Sequence, residues 1–470
     1  MIATLLGFVY LLVLACLSVY GLLGLLTLWL YWQHKQDKTA VPALPVDLPP
    51  VTVQLPIYNE QFVVRRLIDA AVSLDYPADR LQIQVVDDST DETVAITADL
   101  IRTYRQQGIN ISHIHRRHRQ GYKAGALANA LQTASGKFIA IFDADFQPEP
   151  DFLRQTIPYF LTRPQLGLVQ TRWGHLNPDD SALTAAQAMA LDKHFVMEQT
   201  VRFRANLFPK FNGSGGVWRR ACLEEAGGWK DDTVCEDLCL STRAVLGGWQ
   251  FHFLPQIVAP AELPATISAY KIQQGRWSKG SLQCLLKFGR SILTAHEQSW
   301  LARIYAVLAM SAYLTQPLLL LLLTLQVLLL ALDFPFPSRL FLFTIAGLGQ
   351  PILFVLGQQL LYQDWGRRLR HFPALLFISV GSAPSNSRAM WQALFSHQHI
   401  FMRTPKGKHN YHLPFDGIVL AELFWFIYSA VGLILAWQSG NFGLLFFLAT
   451  CLLGFGYVAT LSLGDLLRRN

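Results

Sequence analysis

"KFIAIFDADF", residues 137–146, is the stretch on which the fold turns. Its first half is aromatic and β-branched, the mark of a short strand, and it stops abruptly at two acids, Asp143 and Asp145. The same design occurs upstream in "LQIQVVDDSTDET", residues 81–93, where an apolar run ends at Asp87 and Asp88. "VTVQLPI" (Val51–Ile57) and "NISHIH" (residues 110–115) are two more strand-like runs. Between them Val64, Leu67, Ile68, Ala71 and Val72 share one face of a helix. Strands alternating with helices of about ten to fifteen residues predict an α/β domain with a largely parallel sheet covered on both faces. In such sheets ligands bind at the carboxyl ends of the strands, where both acidic clusters fall.

Composition places this domain beside a membrane. Of 470 residues, 52% are apolar and only 15% are charged, too few charges for a soluble protein of this size. Residues 1–34 carry no Lys, Arg, Asp or Glu, residues 50–290 read as a globular domain, and the apolar runs return from Leu301. The predicted plan is an N-terminal transmembrane helix (1–34), a polar domain (50–290) and a C-terminal membrane bundle (291–470). The first run lacks a basic leader and a small-residue cleavage site, so it is read as a retained helix. Later spans are expected at 304–332, 340–361, 418–437 and 444–463. Placing the basic patches Lys35/Lys38, 366–371, 403–409 and Arg468/Arg469 inside makes the polar domain cytoplasmic. Residues 372–395 then begin and end on that side, as a re-entrant or interfacial element. Six scattered cysteines without a CxxC pair predict neither a disulfide framework nor a zinc site. A net charge of +7 is explained by cytoplasmic loops facing anionic lipid.

The acids carry the chemistry. Asp143 and Asp145, two apart on an extended segment, can point the same way off the sheet edge. Held together there, they suit a hard divalent ion such as Mg²⁺ or Mn²⁺ shared with a phosphate. A lone DxD also arises by chance in acidic turns. Asp88 reads equally as turn chemistry, and Ser89 with Glu92 as a capping box for the next helix. "HIHRRHRQGYKAGALANAL" (residues 113–131) is basic, but it lacks interleaved aromatics and a wider basic field, which argues against nucleic acid. It is better read as a strand end leading into a helix whose start carries Lys123, suited to phosphate oxygens. "FNGSGGVWRR" (211–220) is a glycine-rich turn. "VCEDLCLSTRA" (234–244) sets Glu236 and Asp237 at a helix start, either as dipole-complementing acids or as a fixed general base.

Taken in order, "DDS", "DAD", "CED" and "QQGRW" resemble the signature of the processive family 2 glycosyltransferases: cellulose, hyaluronan and chitin synthases, and above all the cellulose-synthase-like mannan and glucomannan synthases. The resemblance covers about residues 50–410 and implies a GT-A-type domain, with a mixed, mostly parallel sheet, set between one N-terminal and several C-terminal membrane helices. Asp237 would be the base, with Glu236 beside it, and Asp143 and Asp145 the metal ligands for Mg²⁺ or Mn²⁺. Asp87, Asp88, Lys123, Asp143, Asp145 and Arg276 would bind the donor, a UDP-glucose or GDP-mannose. Trp277, Gln273, Asn212, Gly213 and Ser214 would bind the growing glycan. "FMRTPK" (401–406) is similar to the family's gating loop, which would bring Thr404 and Lys406 to the diphosphate. Cys235 stands where the family usually has a threonine. The implied reaction is inverting transfer into a β-linked polysaccharide that crosses the lipid bilayer. The alternatives are a non-processive lipid glycosyltransferase, similar to ceramide glucosyltransferases, and, from another class, a transporter, which leaves the polar domain and its ordered acids unaccounted for.

Overall fold

The structure, a computed structural model, describes residues 1–36, 41–337, 340–395, 403–404 and 416–467. The chain opens with α1 (Ile2–His34), apolar throughout. Strands β1 (Val51–Ile57), β2 (Leu81–Asp87), β3 (Ile111–His115) and β4 (Phe138–Ile141) are linked by α2 (Val64–Val72), α3 (Thr93–Gln106) and α4 (Tyr122–Leu131). β1, β2 and β4 are buried almost throughout, as parallel strands covered on two faces must be. Three further strands follow: β5 (Leu166–His175), β6 (Gly216–Arg219) and β7 (Gln250–Ala261).

Among the described residues the sheet runs β3-β2-β1-β4-β6-β5-β7. β6 is antiparallel to β4 and β5, and the other pairs are parallel. The mixed, mostly parallel sheet expected from the sequence is therefore present. The chain leaves β1 toward β2 and β3, then returns to lay β4 on the other side of β1. Loops diverging from β1 and β4 open a crevice at their carboxyl ends.

Each face of the sheet has its own core. Val53, Leu55, Ile83 and Phe142 pack with α2 and α3 on one side. On the other, Ile139, Ile141 and Trp218 pack with α4 and with the helix Glu236–Leu246. This second core also takes in Leu30 of α1 and Ala302, Tyr305, Ala306 and Met310. Arg204 donates to the carbonyl of His34 at 2.8 Å, which ties the end of α1 to the domain.

Among the described residues, four helices are long and apolar enough to cross a membrane: Ile2–His34, Ala312–Ala331, Ile418–Gln438 and Phe442–Leu467. One expected span is shortened. The run 304–332 breaks at Ser311 into Trp300–Met310 and a second helix from Thr315, and its first part packs into the domain core. Pro317, in the first turn of that second helix, lacks the N–H that would bond the Tyr313 carbonyl, so the helix does not continue unbroken from upstream. The run 340–361 is carried by Phe341–Gly347 and Gly349–Leu361, which meet at Leu348 in helical conformation. Residues 372–395 form two short helices, Phe372–Gly381 and Ala383–Phe395, the second packed on the long helix Ile267–Leu293. The cysteine reading is also corrected: Cys239 and Cys284 form a disulfide between the helices Glu236–Leu246 and Ile267–Leu293. Packing across a sequence separation of 45 residues brings them together, and local spacing carries no trace of it.

Candidate active site

The base of the crevice is braced before any ligand arrives. Asn59, after β1, adopts a left-handed backbone (φ 55°). Its N–H donates to Ser89 Oγ, and its Oδ1 accepts from the N–H of Thr90, both at 2.8 Å. The helix starts three residues later than a cap at Ser89 would require, so the expected capping box does not form. Glu92 occupies the helix N-cap, and Asp91 Oδ1 takes the N–H of Thr93 at 3.0 Å. Asp88 lines the crevice, its carboxylate gripped by Arg116 Nε and Nη2 at 2.7 and 2.6 Å. Asp87 turns inward to His113 Nε2 (2.8 Å) and to the N–H of Ser89 (2.8 Å). Its side chain has no exposed area, so it supports the loop without lining the crevice.

The second acidic cluster differs from its expectation in one respect. β4 stops at Ile141, and residues 143–146 form a turn in which Phe146 N–H donates to Asp143 O at 3.0 Å. The turn, and not strand alternation, lets Asp143 and Asp145 both line the crevice. Ser214 Oγ accepts the Asp143 N–H at 2.9 Å and is itself fully buried. Ser214 thus stands behind the turn and not in the acceptor space proposed for it, whereas Asn212 and Gly213 do line the crevice.

Lys123, in the first turn of α4, joins the acids. Its Nζ lies 2.6 Å from Asp143 Oδ1 and 3.8 Å from Glu236 Oε1, and donates to the Gly213 carbonyl at 2.9 Å. Burial disfavours the ammonium, but Asp143 and Glu236 outweigh it and raise its pKa. Glu236 and Asp237 open the helix Glu236–Leu246, as expected. Burial, opposed by Lys123, pushes Glu236 up to about 7 and raises Asp237 as well. Gly213 is required beside them: φ is +87°, and an added Cβ would lie 3.0 Å from Asp237 Oδ2.

The "QQGRW" stretch lies inside the 27-residue helix Ile267–Leu293, which presents Gln273, Arg276 and Trp277 to the crevice. Close approach makes this possible: a Cβ on Gly280 would sit 2.7 Å from that of Cys235, immediately before the acidic pair. Thr404 closes the far side of the crevice, fully buried, while Lys406 lies outside the described residues. One crevice therefore gathers Asp88, Lys123, Asp143, Asp145, Glu236, Asp237, Asn212, Gly213, Gln273, Arg276, Trp277 and Thr404.

Comparison with known proteins agrees with this convergence. The family model described as "Glycosyltransferase like family 2" matches residues 49–280. Residues 49–280 are a family 2 glycosyltransferase domain. Glucomannan 4-beta-mannosyltransferase 2 of Arabidopsis thaliana is 44% identical over 265 residues, 56% of this chain and 50% of that protein. Glucomannan 4-beta-mannosyltransferase 1 of Cyamopsis tetragonoloba is 43% identical over the same length and the same shares. The chain spans about half the length of the curated relatives it matches. Among solved structures, the mannosyltransferase PcManGT from Pyrobaculum calidifontis, in complex with GDP-Man and Mn²⁺, superposes with a TM-score of 0.55 at 21% identity. That match covers 82% of this chain and 99% of that one. The domain fold is GT-A-like.

Several residues of the glycosyltransferase crevice carried no signal of their own. Trp173 of β5 lines it, but only the sheet order brings β5 there. Glu60 pairs with Arg403 at 2.9 and 3.1 Å, a contact across 343 residues that no local spacing reveals. Arg119 lies 3.5 Å over the Tyr58 ring. Among the described residues no three His, Cys, Asp or Glu side chains cluster as metal ligands. The chain thus offers two carboxylates, Asp143 and Asp145, at an open turn. This donor set fits a hard divalent cation that completes its shell with water and diphosphate oxygens.

Proposed function

We propose that the protein is a membrane-embedded inverting mannosyltransferase that extends a β-linked mannan or glucomannan from a nucleotide-activated mannose, GDP-mannose being the expected donor. The observation that carries this reading is the meeting of the acidic turn, the Glu236–Asp237 pair and the Gln273–Trp277 helix around one crevice of a family 2 domain. The mannosyl preference rests on relatives named glucomannan 4-beta-mannosyltransferases at 43–44% identity.

In this reading an acceptor hydroxyl attacks the anomeric carbon, its proton passes to Asp237, and the bond to the nucleoside diphosphate breaks with inversion. Asp237 suits the base role because burial raises its proton affinity while the helix start fixes its position. Lys123 and Arg276 supply positive charge to the leaving group, and Trp277 offers a flat apolar face to a sugar ring. Asp88 faces the nucleobase end, and Thr404 covers the donor. Asp143 and Asp145 would hold Mg²⁺ or Mn²⁺, which when bound would neutralise charge developing on the diphosphate. The acceptor is the growing glycan. The domain lies on the cytoplasmic side, and the long apolar helices offer the product a route across the bilayer.

The test uses the purified protein in liposomes, with Mn²⁺ or Mg²⁺ and labelled GDP-mannose, UDP-glucose or GDP-glucose in turn. Mannose incorporation into chains cut by an endo-β-1,4-mannanase is expected. Addition of one sugar to a lipid would replace the reading with a non-processive enzyme, and incorporation from UDP-glucose alone would remove the mannosyl assignment.

A further inference from the structure

The proposed reaction makes no use of a deeply buried ion pair that joins the helix Ile267–Leu293 to the membrane bundle. Lys271 Nζ contacts Glu422 Oε1, and their side chains are 9% and 0% exposed. Ser462 completes the group: Lys271 donates to its Oγ at 2.7 Å, and that hydroxyl donates to Glu422 Oε2 at 2.8 Å. Glu422 and Ser462 belong to two of the membrane-length helices, Ile418–Gln438 and Phe442–Leu467. Lys271 belongs to the helix Ile267–Leu293, two residues ahead of Gln273 and five ahead of Arg276. Charged groups inside such segments are costly, and their retention points to a role beyond packing.

Neighbouring contacts converge on the same short stretch. The N–H of Ser268 donates to Asp465 Oδ2 at 3.0 Å, and Tyr313 OH donates to Gln274 Oε1 at 2.9 Å. Ser278 Oγ donates to the Asn386 carbonyl at 3.2 Å, while Arg388 of that helix pairs with Asp416 at 2.5 and 2.6 Å. Residues 268–278 are thus held from the membrane side by three long helices and one short one. Apolar contact alone leaves two such helices free to slide, because a shift of one turn, about 5 Å, exchanges one leucine-rich surface for a similar one. A buried ion pair admits only one register.

We propose that Lys271 and Glu422 are positioning residues that lock the axial register of the Gln273–Trp277 helix against the membrane bundle, so that the acceptor end of the active site stays aligned with the membrane helices. The inference rests on the glycan-synthase reading for its consequence, but the lock itself is a structural property. Removing one partner leaves a buried charge without its counter-ion, so E422Q and K271M are expected to lose thermal stability. Replacing both by apolar residues of similar size, K271M/E422L, restores packing without restoring register.

Two readouts test this on the full-length protein. With spin labels at exposed Leu286 and Leu420 in a Cys16→Ser background, the wild-type distance is expected to be single. The K271M/E422L distance is expected to broaden or shift by up to about one helical turn. In the same double variant the acceptor KM is expected to rise about tenfold and product length to fall, with the donor KM within twofold and the thermal midpoint near wild type. A double variant with unchanged distance, acceptor KM and product length would reduce the pair to an ordinary stabilising contact and overturn the proposal. If the double variant does not assemble, K271R serves: it keeps the charge but alters the reach, so a wild-type distance and acceptor KM in K271R overturn the proposal equally. Failure of the glycan-synthase reading would look different, as a wild-type protein with a single spin-label distance and no polymer.

Discussion

The two ends of the crevice handle carboxylates in opposite ways. Near the ends of β1 and β2 each acid has its own cation or imidazole: Asp87 with His113 at 2.8 Å, Asp88 with Arg116 at 2.6 Å, Glu60 with Arg403 at 2.9 Å. At the other end Asp143 and Glu236 both reach Lys123, at 2.6 and 3.8 Å, and Asp237 adjoins Gly213, to whose carbonyl the same ammonium donates. The first end is closed electrostatically, so its acids act as framework. The second concentrates negative charge, and burial raises both members of its acidic pair. On the proposed reading, that end receives a cation and a proton.

If the comparison holds, substitutions at the two ends separate rate from stability. Asp143→Asn and Asp145→Asn, or removal of divalent metal by chelation, are expected to lower incorporation by at least about a hundredfold. The thermal midpoint of Asp145→Asn should change little, whereas Asp143→Asn takes the 2.6 Å partner from the buried Lys123 and should lower it modestly, Glu236 remaining nearby; initial rates beside melting curves check both. Arg116→Ala should act the other way round. It strands Asp88, whose side chain is 4% exposed, at a cost of about 3–5 kcal/mol, read as a lower midpoint, and Asp88→Asn in the same chain should recover much of it.

The pH profile sharpens the contrast. A general base must be ionised, so a raised pKa moves the loss of activity to higher pH as the solution is acidified. The acid limb of kcat/KM should therefore lie above the ordinary carboxylate range, because burial raises Asp237. A limb near pH 4 would contradict an active site governed by these two acids. The smallest expected effect is at the latch between the loop after β1 and Thr404. Arg403→Gln should raise the donor KM about three- to tenfold, with kcat changed less, because it loosens the cover over the donor without touching the reacting atoms.

What the sequence revealed follows the range of the forces involved. The strands β1 to β4 and the helix starts at Lys123 and Glu236 were legible because alternation and helical spacing are local. The acids themselves were legible because each follows a strand or opens a helix. The presentation of Asp143 and Asp145 was not, since a turn buttressed by Ser214, 71 residues away, sets it. The capping box at Ser89 failed because the helix begins only at Thr93, with Glu92 as its N-cap, and Ser89 instead ties its loop to Asn59. Hydropathy found the long apolar helices but passed over the break at Ser311, since Pro317, which lacks the N–H an unbroken helix would need, counts in composition as one more apolar residue. The Cys239–Cys284 bridge and the Glu60–Arg403 latch depend on tertiary packing alone.

Asp237 is the residue on which the account depends most directly. In Asp237→Asn the size and position of the side chain are kept and only the ability to take a proton is lost. GDP-mannose binding, measured by calorimetry in the presence of Mn²⁺, should stay within about threefold of wild type, while glycan incorporation should fall by about a thousandfold. Incorporation above about a tenth of wild type in that variant would take the base role away from Asp237 and contradict the account.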